Sequence, residues 1–196
     1  LFTTRTRRYR ELRAADDACV GRVVLSGSCG QPCGVGTPPA WKEIRTPDSH
    51  YGSDLNRMLH WPALLQAHLL SGDPRYARRA VAEALSWIAG CPRPQLPATR
   101  DEAVASFYGV TAEAVPWHCL NSGIRLFETW RLLVETLAGT PALADDELAR
   151  IAGSMREQAE AIRAVSPTLF PDAHHNHYLM EMLGVLSWAR LFPAMP

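Results

Sequence analysis

Four consecutive positions near the C-terminal end combine three histidines with an asparagine: His174, His175, Asn176 and His177. An asparagine amide can donate hydrogen bonds to a carboxylate or an oxyanion. Histidine suits general-base work because the ordinary pKa of its imidazole lies near neutrality. The pair Asn176 and His177 is therefore a candidate catalytic site. The alternatives are that Asn176 only caps a helix, and that the histidines cluster by chance or form a weak metal site.

Two further residues of this stretch belong to the candidate site. Glu181 lies four positions after His177, so a helix through the region places both side chains on one face. Glu181 could orient the imidazole, or it could pair with a basic residue of another helix, and the spacing favours neither. Tyr178 adjoins the Asn-His pair and is a candidate substrate-binding residue.

A polar stripe on an upstream helix supplies the remaining candidates for substrate binding. Asn121 and Arg125 share one face of that helix. Arg125 could grip a substrate carboxylate, or it could bind a neighbouring acid or carbonyl and hold the fold together, which is the favoured interpretation. Trp117 could stack on a sugar ring or pack in the core. Arg57 and His60 share a face of an earlier helix and are weaker candidates.

The composition argues against several classes of protein. The chain has 196 residues, which suits one domain or a large part of one, and its 20 basic side chains balance 20 acidic ones. Zero net charge gives no reason to expect nucleic acid or an anionic membrane as the main partner. No apolar run is long enough to span a bilayer, and the opening residues lack the apolar core of a signal peptide. Cys29 and Cys33 could form a local disulfide or half a metal site, but small buried thiols are the favoured interpretation.

Helical patterns dominate the chain after its N-terminal part. Residues 1–20 have the pattern of a short charged helix, and residues 20–40 predict one or two short strands and an irregular loop. Caps, prolines and apolar periodicity then predict a series of helices separated by short loops. These helices are Ser53–Leu70 with a kink at Pro62, a helix capped by Asp73 that runs to about Ala89, a helix capped by Thr99 that runs to Tyr108, Pro116–Ala138, residues 145–165, and His175–Leu191 after a loop through Pro167 and Pro171.

These patterns predict an all-α fold of antiparallel helix pairs, with a short irregular or β segment at the N-terminus. Periodicity alone does not decide whether the pairs stack into a solenoid or close into a toroid. The last helix is apolar almost all round, so we expect neighbours to bury it on every side, and the few residues after it suggest that partner helices lie beyond this end. The Pro116–Ala138 helix carries an apolar core stripe of Leu120, Ile124, Phe127, Trp130, Val134 and Leu137.

Four stretches, in this order, resemble the N-terminal helical region of the heparinase II/III-like polysaccharide lyases. The last two stretches, the segments 117–125 and 175–182, are the most specific. The resemblance covers roughly residues 38–193. The four stretches are Ala40-Trp41 with Leu55–His60 and Ser71–Ala77, Trp87-Ile88 with Pro92 and Pro94, Trp117–Arg125 with Trp130, and His175–Met182 with Leu191-Phe192-Pro193.

The resemblance implies part of an incomplete (α/α) toroid over residues 41–196, preceded by the helix and irregular segment of residues 1–40. It also implies a polysaccharide lyase that cleaves uronate-containing glycans by β-elimination. In that mechanism Asn176 neutralises the uronate carboxylate and His177 acts as the base. The family's catalytic tyrosine normally lies on a later toroid helix, and a further histidine comes from a β-sheet domain. Neither position exists in this chain, so we expect this fragment alone to be inactive.

The implied partners are an anionic, uronic-acid polysaccharide and the remaining C-terminal domains of the parent chain, with no nucleic acid and no membrane. Alginate, heparan-type glycosaminoglycans and bacterial exopolysaccharides all fit. The proposed site residues require no cofactor, while a metal elsewhere in the parent protein stays open. Extracellular substrates imply a periplasmic or secreted protein. The alternatives are a non-catalytic helical module that binds glycan or protein, and a metal-binding helical protein built on the histidine cluster.

Overall fold

The computed structural model describes residues 12–46, 48 and 50–194. Helix α1 (residues 12–19) precedes a two-stranded antiparallel sheet of β1 (Arg22–Val23) and β2 (Cys33–Gly34). Helices account for the other regular elements in the described part of the chain, which confirms the all-α class with its short β segment. Residues 1–11 of the predicted first helix lie outside the described residues. The helices after β2 are α2 (Tyr51–Arg57), α3 (Trp61–Ser71), α4 (Pro74–Gly90), α5 (Arg100–Phe107), α6 (Cys119–Ile124), α7 (Arg131–Leu137), α8 (Asp145–Leu169) and α9 (Asn176–Leu191).

The predicted helix Ser53–Leu70 is wrong, because two helices occupy this region. Helix α2 begins at Tyr51, so Ser53 does not cap it, and it ends at Arg57, before the cap residue Met58, which adopts a left-handed conformation with φ of 55°. Helix α3 begins at Trp61 and places Pro62 in its first turn. A proline there lacks only an N–H that has no partner within the helix, so Pro62 starts the second helix rather than kinking one long helix.

The predicted caps of the next two helices are confirmed. Asp73 accepts a hydrogen bond from the backbone N–H of Arg75 at 2.9 Å, directly before Pro74. Thr99 accepts one from the N–H of Glu102 at 3.2 Å. Each side chain satisfies a backbone donor that the first helical turn leaves unpaired. Local chemistry therefore sets where α4 and α5 begin.

Helices α6 and α7 are parts of one continuous helix, joined by a π-helical segment over Arg125–Trp130. A short 3₁₀ turn, Val115–Trp117, precedes it. The predicted helix Pro116–Ala138 is close to these bounds, but its internal register changes in the π-helical segment. Such segments add a residue to one turn and rotate the side chains that follow.

Helix α8 continues to Leu169, so the predicted loop through Pro167 is wrong at that position. Pro167 lies in the last turn of α8. Its ring removes one hydrogen bond near the end of a long helix, where the remaining bonds suffice to continue the helix. Helix α9 begins at Asn176 and ends at Leu191, which confirms the last predicted helix to within one residue.

Backbone contact between α6 and α9 holds the last helix in place. A Cβ added at Gly184 would lie 2.6 Å from the carbonyl oxygen of Gly123, and a Cβ added at Gly123 would lie 2.7 Å from Cα of Glu181. Only glycines permit this approach. The opposite face of α9 is open within the described residues, with Leu179 61% and Leu186 53% exposed. The expectation that neighbours bury α9 on every side is therefore not met by the described residues.

The core is centred on four tryptophans from four different segments. Trp61 stacks on Trp130 with ring centroids 6.1 Å apart, and Trp87 contacts both Trp117 and Trp130 at 5.6 Å. All four are buried. This cluster joins α3, α4, the 3₁₀ turn and the π-helical segment into one body. No helix in the described part of the chain has the length and apolarity to cross a membrane.

Candidate functional site

The candidate catalytic pair lies at the exposed N-terminal end of α9. His175, not Asn176, is the N-cap residue, and its Nδ1 accepts a hydrogen bond from the N–H of His177 at 3.2 Å. Asn176 is the first helical residue and is exposed. Its amide is therefore not used as the cap. Within the described residues, neither the Asn176 nor the His177 side chain forms a hydrogen bond, which leaves both able to meet a ligand.

Three aromatic rings from two segments surround His177. Its ring centroid lies 4.6 Å from that of His175, 6.3 Å from Phe170 and 6.4 Å from His118. Phe170 in turn stacks on His175 at 4.6 Å with an interplanar angle of 15°. The loop between α8 and α9 thus supplies an aromatic support for the start of α9. These contacts bring together residues that are more than fifty positions apart in the sequence.

His118 lies within the stretch Trp117–Arg125 and belongs to the site, although the sequence pattern indicates no role for it. It is the N-cap of α6, and its Nδ1 accepts a hydrogen bond from the N–H of Leu120 at 3.2 Å. Its ring lies 4.9 Å from that of Tyr108. Burial, together with the nearby His177 and Arg57, lowers the pKa of His118 to about 4. His118 is therefore a neutral imidazole at neutral pH.

Arg57 supplies positive charge to the same site. Its Nε donates to Oδ1 of Asn121 at 2.8 Å, and its side chain is 16% exposed. The Asp54 carboxylate lies 4.0 Å away. The charge of Arg57 contributes to the lowered pKa values of both His118 and His177. A contribution of Arg57 to the site stays a prediction.

His177 has the protonation behaviour that a base requires. Burial is the largest cause that lowers its pKa, followed by His175 and Arg57. The imidazole is consequently in its free-base form at neutral pH. A basic imidazole beside an amide donor and a cation can accept a proton while the neighbouring groups stabilise negative charge on a ligand.

Glu181 meets neither of the two partners predicted for it. It is fully buried, and its Oε1 accepts a hydrogen bond from the hydroxyl of Tyr108 at 2.7 Å. Within the described residues, Oε2 is buried without a hydrogen-bond partner. Burial raises the pKa of Glu181 above its ordinary value, although the hydrogen bond from the Tyr108 hydroxyl opposes this shift. Glu181 therefore holds α9 through its buried hydrogen bond with Tyr108, and it neither orients His177 nor binds substrate in this geometry.

Arg125 does not reach the candidate site, which contradicts its assignment as a substrate-binding residue. It is fully buried, and its guanidinium donates to Gln158 at 2.9 Å, to the carbonyl of Asn56 at 2.7 Å and to the carbonyl of Pro116 at 3.0 Å. It also lies over the Trp87 ring at 4.1 Å. Burial lowers its pKa to about 9, which leaves it charged at neutral pH. The favoured structural interpretation of Arg125 is the correct one.

Asn121 and Trp117 are likewise buried and do not bind substrate directly in this geometry. The Asn121 amide donates to the carbonyl of Val115 at 3.0 Å, and its oxygen holds Arg57. Trp117 donates to the carbonyl of Cys91 at 2.9 Å. Polar and aromatic residues on a helix face look alike in the sequence whether they point to a cleft or into the core. Only the packing of the other helices separates these cases.

The remaining candidates lie apart from one another. Tyr178 is half-buried beside His177. His60 belongs to a separate buried network, in which Glu83 binds its Nε2 at 2.6 Å and the Nε of Arg79 at 2.7 Å. Within the described part of the chain, no group of three or more His, Cys, Asp or Glu side chains could hold a metal ion. All five cysteines are free thiols.

Comparison with known proteins gives a family and a fold. Residues 15–196 match the model of the family described as heparinase II/III N-terminus. Heparan sulfate lyase HepC from Pedobacter heparinus is 20% identical with a TM-score of 0.71, over 93% of this chain and 26% of that one. The heparinase III BT4657 gene product is 19% identical with a TM-score of 0.73, over 94% of this chain and 28% of that one.

At these identities the solved structures show a shared fold. This chain spans little more than a quarter of the length of each. No curated protein gives a significant sequence match. Because the family model matches nearly all of the described residues and extends to position 196, this chain belongs to the heparinase II/III family, as a module of the family's N-terminal region.

Proposed function

We propose that this module forms the carboxylate-binding and proton-abstracting side of a cleft that cleaves uronate-containing polysaccharides by β-elimination. One observation carries the proposal. Asn176 and His177 project from the exposed start of α9 with no hydrogen bond to either side chain from the described residues, beside the cation of Arg57. An amide donor, a free-base imidazole and a positive charge are the groups that this reaction requires from the protein.

The elimination proceeds through a carbanion at C5 of the uronate. His177 accepts the C5 proton while the electron pair moves into the carboxylate, whose charge the Asn176 amide stabilises by donating a hydrogen bond. The pair then forms the C4–C5 double bond as the C4–O4 bond breaks. The departing O4 takes a proton from an acid, which the resemblance to the family assigns to a tyrosine beyond this chain. Tyr108 does not serve as that acid, because its hydroxyl is bound to Glu181.

The proposed substrate is an unbranched glycosaminoglycan of the heparan type. This choice is supported by the solved structures of similar fold, which include heparan sulfate lyase HepC and a heparinase III. The remaining domains of the parent chain complete the cleft, and an extracellular polymer as substrate requires an exported protein. The residues proposed to act need no cofactor.

The test is the ultraviolet absorbance of the unsaturated uronate product. The 196-residue chain and the natural full-length protein are assayed on heparan sulfate, unsulfated heparosan and alginate, with Asn176→Ala and His177→Ala in the full-length protein. We expect absorbance to rise with the full-length protein and to be lost in both variants. The matched control is His174→Ala, which changes a neighbouring exposed histidine with no role in the mechanism and should retain activity.

Two outcomes oppose the proposal. If the folded full-length protein binds one of these polymers without cutting it, the module is a glycan-binding domain. If both variants cut as fast as the natural protein, other residues perform the chemistry.

A further inference from the structure

His118 lies beside His177 in the candidate site without any role in the proposed mechanism. Its ring is partly exposed and lies 6.4 Å from the ring of His177. One of its two ring nitrogens is already hydrogen-bonded, because Nδ1 accepts a hydrogen bond from the backbone N–H of Leu120. Within the described residues, the other nitrogen, Nε2, has no hydrogen-bond partner. This arrangement resembles a ligand-binding group more than a completed structural contact.

The cap determines which nitrogen of His118 carries the proton. A neutral imidazole has one N–H donor and one acceptor nitrogen. Since Nδ1 accepts a hydrogen bond, the proton must be on Nε2. A second proton, on Nδ1, would break the cap.

The groups facing the ring oppose that second proton as well. Arg57 of α2 and His177 of α9 both lower the pKa of His118, in addition to burial. The Tyr108 hydroxyl, at the end of α5, is occupied by Glu181 of α9. His118 is thus held as a neutral Nε2–H donor over the pH range in which His177 works as a base.

We infer that His118 is a further substrate-contact residue, which donates a hydrogen bond from Nε2 to a hydroxyl or carboxylate oxygen of the acidic sugar bound at His177. This inference rests on the proposed function of the cleft. A donor fixed as neutral neither competes with His177 for the C5 proton nor loses its hydrogen when the base becomes charged. His118 and Asn176 then bind oxygens of one sugar from α6 and α9, two helices joined by the contact between Gly123 and Gly184.

The first test is long-range ¹H–¹⁵N nuclear magnetic resonance of the histidine rings in the 196-residue chain at neutral pH. We expect His118 to show the Nε2–H tautomer. Addition of a heparan-type tetrasaccharide should shift its Nε2 resonance together with those of His177. The Nδ1–H tautomer, or an Nε2 resonance that does not move while those of His177 do, would overturn the inference.

The second test separates substrate contact from helix capping by two substitutions. His118→Ser retains an N-cap hydroxyl but cannot reach the sugar, whereas His118→Ala loses both functions. We expect His118→Ser to melt near the temperature of the natural chain and to bind the tetrasaccharide at least tenfold more weakly. Binding by His118→Ser that equals that of the natural chain would show that His118 only caps α6.

The outcomes also distinguish this inference from the proposed function. If the full-length protein cuts no polymer but tetrasaccharide binding depends on His118, the lyase proposal fails and the contact stands. If cleavage is intact in His118→Ser with an unchanged KM, the contact alone is wrong. For a true contact, the KM of His118→Ser should rise while the acid limb of its kcat profile stays in place, because His177 remains the base.

Discussion

Three histidines share one small volume of this protein but use their ring nitrogens differently. His118 and His175 each use Nδ1 to accept a hydrogen bond from a backbone N–H at the start of a helix. His177 makes no such bond within the described residues and is therefore the ring available for proton transfer. Histidine is an uncommon cap, and its use at position 118 keeps a neighbour of the proposed base neutral, because a protonated Nδ1 could not accept the capping hydrogen bond.

The charge of Arg57 should control the titration of His177. Arg57 is one of the causes that lower the pKa of His177 below its ordinary value of about 6.5. We expect Arg57→Gln to move the midpoint of the His177 titration to higher pH, while Arg57→Lys keeps the charge and leaves the midpoint near that of the natural chain. The measurement is a pH titration of the ring carbon-bound protons by nuclear magnetic resonance. A midpoint unchanged in Arg57→Gln would show that the cation does not act on His177.

The buried carboxyl of Glu181 should make the fold less stable as pH rises. Burial raises its pKa in the folded chain. The folded state therefore holds a proton that the unfolded state has lost at pH values between about 4.3 and the raised pKa of the folded carboxyl. In that range the unfolding free energy falls with increasing pH.

Glu181→Gln cannot ionise, so the difference in unfolding free energy between this variant and the natural chain should grow in the variant's favour as pH rises from about 4.3. Chemical denaturation at a series of pH values measures it. The control is Glu157→Gln, the same change at an exposed position of α8. Parallel curves for the natural chain and Glu181→Gln would refute the assignment of a buried, raised carboxyl.

The side chains of the candidate site were only partly predictable from the sequence. Asn176 and His177 carry side chains suited to the chemistry at a helix start, and the structure places them where a ligand can reach them; their catalytic role stays a prediction. Arg125 has an equally suitable side chain on a helix face, but it lies in the core. There, backbone carbonyls of two other segments accept its hydrogen bonds. Spacing within one helix contains no information about those segments, and for the same reason it left His118 without a role.

Among the helices, the pairing of α6 with α9 positions the candidate site. A methyl group at residue 184 would lie 2.6 Å from a backbone oxygen of α6, and rigid backbone cannot give way cheaply. We expect Gly184→Ala to lower the unfolding free energy by at least about 2 kcal/mol, although alanine favours a helix by about 1 kcal/mol. Tetrasaccharide binding should weaken too, because α9 carries Asn176 and His177.

Gly153 provides the matched control for this substitution. It also lies inside a helix, α8, but a Cβ added there meets no heavy atom within 4 Å. Gly153→Ala should therefore stabilise the chain by about 0.5–1 kcal/mol in the same denaturation experiment. Equal effects of the two substitutions would mean that α6 and α9 do not touch through their backbones.

The helices were predictable where local chemistry sets their limits and not where tertiary contacts do. Asp73 and Thr99 cap their helices through bonds to residues two or three positions away. At the break between α2 and α3, Met58 contacts a partner distant in sequence, since the Trp130 indole donates to its sulfur at 3.1 Å. The π-helical segment likewise alters the predicted stripe, so that Phe127 is only partly buried while Leu126 is fully buried.

At the scale of the described structure, the core contains a buried cation, Arg125, in addition to its apolar packing. Arg125 binds the end of α2, the 3₁₀ turn and α8, and it covers the indole of Trp87 from α4. A planar guanidinium with five donors can serve these acceptors together, whereas a lysine ammonium has three donors from a single point. A lysine at position 125 would therefore keep the positive charge but not all of these hydrogen bonds.

Arg125→Lys should destabilise the entire fold, because it leaves buried carbonyls without donors at about 1–3 kcal/mol each. We expect a loss of at least about 3 kcal/mol in a transition that stays cooperative, since the residue joins all the surrounding helices at once. The control is Arg156→Lys, at an exposed pair with Glu160 on α8, which should change stability by less than about 1 kcal/mol. If Arg125→Lys instead melted α9 alone and left the tryptophan fluorescence of the core intact, the cation would be a local support. A single transition seen by both tryptophan fluorescence and circular dichroism would establish that the cleft and the core unfold as one unit.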